Sequence, residues 1–110
     1  MSSTVPTVVF HHLAAREYRQ ARAWYCRRSP ATAERFRDAV DRAVRQIAEA
    51  PLQGTIFRGP FRWKRMPRFP YLLFYEAVEP DLIRVYAVAH GRRRLGYWLR
   101  RKFPIPGETN

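Results

Sequence analysis

The densest set of chemically capable side chains is His90-Gly91-Arg92-Arg93-Arg94, followed closely by Tyr97-Trp98 and Arg100-Arg101. A histidine titrates near neutrality and moves protons, and an arginine stabilises the charge of a pentavalent phosphate. Together they would serve metal-free cleavage of RNA, with acid–base help worth ~10²–10⁴-fold. In that chemistry His90 and Arg93 are the catalytic candidates. The competing reading is structural: a lone histidine at the end of a strand commonly hydrogen-bonds its own chain. His11-His12 is a weaker pair, expected on alternate faces of a strand with no carboxylate nearby. No metal-ligand spacing and no glycine-rich nucleotide loop occurs, so neither metal nor cofactor is expected.

Charge points to the partner. Of 110 residues, 21 are Lys or Arg and 9 are Asp or Glu, a net charge of +12. Nineteen of the basic residues are arginine. Its planar fork matches phosphate and carboxylate, and it stacks on aromatic rings. The anionic partner is then nucleic acid or an acidic protein segment, unless the arginines merely solvate the surface. Residues 58–102 hold 12 basic and 3 acidic side chains, a net of +9, against +4 for residues 1–57. Phe61, Trp63, Phe69, Tyr71, Phe74, Tyr75, Tyr86, Tyr97 and Trp98 are interleaved with that charge. Rings beside arginines suit single-stranded nucleic acid; the same rings also suit a core.

The elements that must position these groups follow from periodicity. Thr7 to His11 is β-branched and aromatic and reads as a short strand. From Leu13 to Arg28, Ala14, Tyr18, Ala21 and Tyr25 fall on one helical face. Ser29-Pro30 ends that helix and starts another, Ser29 as cap and Pro30 in the first turn. Ala33, Phe36, Val40, Ala43, Val44 and Ile47 keep helical spacing up to Glu49, before Pro51 and Gly54. Phe61 to Met66, between two prolines, reads as an edge or bulged strand. Phe69 to Val78 is apolar on both faces, which suits a central strand. Leu82 to His90 alternates, with Ile83, Val85, Ala87 and Ala89 on one apolar face and Leu82, Arg84, Tyr86, Val88 and His90 on the other, mixed face. Arg92 to Lys102 forms either a short final helix or a basic tail.

The fold class expected is α+β, in the order β-α-α-β-β-β with a possible short C-terminal helix. A helical hairpin lies on one face of a small, mostly antiparallel sheet. The other face is left open, presenting Arg84, Tyr86 and His90. One domain spans residues 1–102, and residues 103–110 form a flexible tail. No apolar run approaches the ~18 residues that cross a bilayer. Residues 1–10 lack the basic and apolar regions of a secretory leader. Cys26 is the only cysteine. A cytoplasmic protein with no membrane partner is expected.

Three stretches resemble the RelE/ParE superfamily of type II toxins. They are Ala21-x-x-Trp24-Tyr25 with Ser29-Pro30-x-x-Ala33-x-x-Phe36; Arg68-Phe69-Pro70-Tyr71-x-x-x-Tyr75, with Arg62 ahead of it; and His90-Gly91-Arg92-Arg93 leading to Tyr97-Trp98-x-x-Arg101. Their order and spacing cover roughly residues 8–102. The resemblance implies a growth-arresting toxin held silent by a cognate antitoxin. It implies either of two targets: RelE-like members cut mRNA on the ribosome, and ParE-like members poison DNA gyrase. The RNA-cutting branch typically places an arginine directly after the aromatic that opens the central strand. Here Leu72 follows Tyr71, and the Phe-Pro-Tyr stretch and Tyr97-Trp98 ending look more like the ParE and plasmid-stabilisation branch. The target-binding candidates are Arg62, Arg65, Arg68, Tyr86, Arg92, Arg93, Tyr97, Trp98 and Arg101. A plain basic nucleic-acid-binding module remains a third reading.

Overall fold

Ser29 does two jobs at the centre of the helical hairpin. Its N–H donates to Tyr25 O at 2.8 Å, closing the first helix, and its Oγ accepts from Thr32 N at 3.3 Å, opening the second. In the computed structural model, which describes residues 6–79 and 81–103, α1 spans His12–Arg28 and α2 spans Pro30–Glu49. A single extended residue therefore reverses the chain, and Pro30 sits where the missing N–H costs nothing.

The sheet has five strands: β1 (Thr7–Phe10), β2 (Thr55–Arg58), β3 (Phe61–Arg65), β4 (Tyr71–Glu79) and β5 (Leu82–His90). Their spatial order is β1-β5-β4-β3-β2. β1 runs parallel to β5 and the other neighbours are antiparallel. Two helices packed on this mixed sheet make an α+β fold. The observed order, β-α-α-β-β-β-β, has one strand more than expected. β2 is short and mostly exposed, so its residues carry little alternation to read. Its pairing moves β3 from the expected edge to the interior. Gly59, at φ +54°, supplies the left-handed corner of the β2–β3 turn.

The hairpin buries Ala14, Ala21, Phe36, Val40, Ala43 and Ile47 against Leu73, Tyr75, Ile83, Val85 and Val88 of the sheet and Met66 of the β3–β4 turn. β4 is buried on both faces, as a central strand should be: Leu73 and Tyr75 face the helices, and Phe74 faces the other way.

Two expectations about β5 are overturned by a bulge. Tyr75 pairs with Val85 and Phe74 with Ala87, leaving Tyr86 as an extra residue. An inserted residue shifts the alternation by one. Ile83 and Val85 therefore face the helices, but Ala87 and Ala89 do not; Val88 takes their place. His90 moves with Val88 to the helix side, where it packs on Tyr71 with ring centroids 5.2 Å apart.

Nor is the second face of the sheet open. Phe74, Tyr86, Ala87, Ala89 and Trp98 form a second core there, flanked by Phe57, Phe61, Trp63, Leu72, Tyr97, Leu99 and Phe103. The segment after β5 makes no helix. It crosses the sheet as successive turns, with Arg93, Tyr97, Leu99 and Arg101 each donating to the carbonyl three residues back. Phe103, expected in the tail, packs on Tyr86 at 4.9 Å and on His11 at 5.3 Å. The rest of the expected tail, 104–110, lies outside the described residues.

Candidate functional site

Where β1 ends, the edge of β5 needs new partners. His11 N–H makes the last ladder bond, to Val85 O at 2.9 Å. Beyond it Val88 N–H donates to Glu17 Oε1 at 3.0 Å, and Tyr86 O accepts from Arg101 at 2.9 Å. Arg101 also grips Glu17 through both guanidinium nitrogens, at 3.0 and 2.7 Å, and Tyr97 O–H donates to Glu17 at 2.6 Å. Both side chains of the ion pair are only 13% exposed. The C-terminal segment is thus bolted to α1 and to the free stretch of β5. Burial raises the Tyr97 pKa, and its bond to Glu17 raises it further. Burial opposes the charge of Arg101, but Glu17 outweighs it and the pKa ends above its ordinary value.

His11 is not a strand residue. It caps α1: Nδ1 accepts from Leu13 N at 3.1 Å, while Nε2 lies 3.1 Å from Lys102 O. That pairing requires the neutral ring with its proton on Nε2. Burial lowers its pKa, with nearby His12 and Arg101 adding to the effect. The unfolded chain therefore takes up this proton first. His11 contributes stability at pH above its unfolded value of 6.5, and that contribution fades as pH falls below it. Thermal unfolding from pH 7 down to pH 5 should show a falling Tm, and His11→Asn, which keeps a capping side chain, should flatten the slope. Parallel slopes would remove His11 from the account.

The candidate residues separate into two groups. Tyr86 is 6% exposed with its hydroxyl on Glu76 at 2.9 Å, and Trp98 is 0% exposed. Burial, with the Glu76 bond, pushes the Tyr86 pKa up to about 12. Arg62 donates to Gly54 O at 2.8 Å, and Tyr97 and Arg101 are committed to Glu17. These five support the fold. Arg65, Arg68, Arg92 and Arg93 are exposed.

The exposed four share one end of the sheet, because Gly91 N–H donates to Pro70 O at 2.7 Å and ties the β3–β4 turn to the turn after β5. Beside them lies a cleft of about 470 Å³, lined by Trp24, Tyr25, Tyr71, His90 and Arg93 among others. His90 Nδ1 accepts from Arg92 N at 3.0 Å, which leaves Nε2 as the protonated nitrogen of the neutral ring. Arg93 lies 3.7 Å over the Tyr97 ring. Glu17 lines the same cleft but is fully engaged. Sequence reasoning did not single out Glu17. Its one signal was being the sole carboxylate of α1 among five arginines. No cluster of metal-ligating side chains occurs among the described residues.

A hairpin on a mixed sheet, closed by a basic C-terminal segment, agrees with the α+β fold that the RelE/ParE resemblance implies. A family model described as the ParE toxin of the type II toxin–antitoxin system parDE matches residues 8–95. The chain belongs to that family and is a type II toxin, which implies an antitoxin partner. No curated protein matches the chain. Among the described residues no helix is long and apolar enough to cross a membrane.

Proposed function

We propose that this toxin inhibits DNA gyrase in the cytoplasm and is neutralised by a cognate antitoxin whose acidic side chains meet the exposed arginines. Leu72 carries the choice of target. The RNA-cutting branch of the superfamily typically keeps an arginine there; here the position is an apolar side chain packed against the second core. A binding toxin needs no reacting group, and its interface energy concentrates in a few arginine and aromatic anchors. Among the target-binding candidates, Arg65, Arg68, Arg92 and Arg93 are the exposed arginines available for that role.

A ribosome-dependent endoribonuclease is the second reading. It is favoured by one observation: His90, Arg93 and Tyr71 line a single cleft. The two readings part on His90→Ala. If the toxin binds gyrase, the variant keeps most of its growth arrest. If it cuts RNA, loss of the acid–base group removes ~10²–10⁴-fold of rate and the arrest with it. Purified toxin is assayed in parallel for loss of gyrase supercoiling and for mRNA cleavage on translating ribosomes. Codon-spaced cuts with supercoiling intact would replace the gyrase reading by the enzyme. Truncating Tyr97 to Lys102 is a poor test of the interface, because Tyr97, Trp98 and Arg101 hold the fold.

A further inference from the structure

Three turns and ends meet at the pole that carries the cleft, and none of the chain's nine carboxylates lies in their sequence. They are 24–29 at the end of α1, 65–70 between β3 and β4, and 90–94 after β5. They hold Arg27, Arg28, Arg65, Arg68 and the run Arg92-Arg93-Arg94. Glu17, at the inner side of the cleft, has both oxygens occupied by Val88, Tyr97 and Arg101. The pole therefore presents positive charge with no free counter-charge in these segments.

Aromatic rings from three elements line its cleft. Trp24 is 44% exposed, large for a tryptophan, and carries the Arg28 guanidinium 3.5 Å above its face. Trp24 meets Tyr25 edge-on at 5.1 Å, and Tyr71 meets His90 at 5.2 Å. The cleft between them is open to solvent and offers the His90 Nε2–H as a donor.

The backbone adds an independent sign. Arg68 is the one non-glycine residue at positive φ, +72°, among the described residues. It occupies the third position of a turn closed by Phe69 N–H to Met66 O at 3.4 Å, with Pro67 before it. That position of a type II turn ordinarily takes glycine. An arginine there accepts a strain that glycine would avoid, and such outliers cluster at functional sites.

We propose that this pole binds a short stretch of single-stranded nucleic acid, a base entering between Trp24 and Tyr71 while Arg28, Arg68 and Arg93 hold successive phosphates. Stacking on exposed rings tolerates any base, and the arginines follow the backbone. A duplex keeps its bases stacked inward and cannot fill the cleft. The inference stands whether the toxin's target is gyrase or the ribosome, since it concerns the nucleic acid alone.

The test uses the full chain, freed of its antitoxin, with labelled oligothymidine, oligouridine and a short DNA duplex, read by anisotropy at several salt concentrations. Either single strand should bind more tightly than the duplex, and the two arms show whether DNA or RNA is preferred. Binding should quench tryptophan fluorescence, and log K should fall by about 0.7 per phosphate contact with log salt. Trp24→Ala should weaken single-strand binding about tenfold and abolish the quench, with its Tm near that of the parent. Arg68→Gly should raise the Tm while weakening binding and lowering the salt slope by about 0.7. Arg45→Gln, on α2 and outside the pole, should bind like the parent. Equal affinity for duplex and single strands, or equal losses from Arg45→Gln and Arg68→Gly, would reduce the binding to bulk charge and overturn the proposal. So would an Arg68→Gly variant less stable than the parent, since the residue would then serve the fold.

Discussion

Glu17→Ala should destabilise the toxin by about 3–5 kcal/mol, the cost of leaving a buried charge without its partner. The carboxylate receives four hydrogen bonds, from Val88 N, Tyr97 O–H and two nitrogens of Arg101. Deleting it strands a guanidinium at 13% side-chain exposure and orphans a strand N–H and a phenol. A domain of this size has roughly 5–15 kcal/mol in total, so the variant stands near unfolding at 37 °C. At about 4–8 °C per kcal/mol, its Tm should fall by 12 °C or more. The double variant Glu17→Leu/Arg101→Met removes both charges and should recover part of the loss. Recovery stays partial because Val88 N–H and Tyr86 O still lack partners. Urea unfolding of the parent, both single variants and the double variant measures the coupling. Additive losses would show that the pair does not act as a unit.

Trp98→Ala should cost a similar amount, about 3–5 kcal/mol, by a different route. The indole is fully buried and touches Phe57, Phe61, Phe74 and Tyr86, with ring centroids 4.9 to 5.8 Å away. Removing it empties the middle of the second core, and the segment from Tyr97 to Phe103 loses its anchor. Trp98→Phe separates packing from polarity. The indole N–H is buried with no hydrogen-bond partner among the described residues. An orphaned donor costs about 1–3 kcal/mol, so phenylalanine loses volume but also removes a penalty. Trp98→Phe should therefore stay within about 1.5 kcal/mol of the parent. Thermal melts followed by near-ultraviolet circular dichroism would check both. A Trp98→Ala protein that melts with the parent would mean that the second core contributes little.

Trp98 fills the face of the sheet that periodicity left open, and Glu17 ties the segment that covers it to α1; the reason neither was legible is local. β5 reads as alternating from Leu82 to His90, and alternation alone predicts one inward set. The bulge at Tyr86 breaks that count, and a bulge depends on the partner strand rather than on the strand that carries it. The same extra residue carries His90 from the expected open face to the helix side, beside Tyr71 and Trp24. The turns of Arg92 to Lys102 were hidden for another reason. Two basic blocks, 92–94 and 100–102, flank Leu95-Gly96-Tyr97-Trp98-Leu99, and nothing in that spacing says whether a ring faces water or a second core.

What the sequence by itself determined is the part governed by short-range physics. The helical hairpin, its Ser29-Pro30 reversal, the doubly buried β4 and the bounds of β5 all follow from caps, prolines and periodicity within a few residues. So do the excess of arginine and its concentration in the second half of the chain. Only the tertiary structure decided which arginines are free. Arg62 and Arg101 look, in sequence, like Arg65 and Arg93. The first two are spent on Gly54 O and on Glu17, 84 residues from Arg101. No local pattern encodes that pairing, because it depends on where β1 stops and leaves β5 without a neighbour. The positive φ of Arg68 is a tertiary feature as well, found in a turn whose next residue, Phe69, packs on Phe36 and Tyr25.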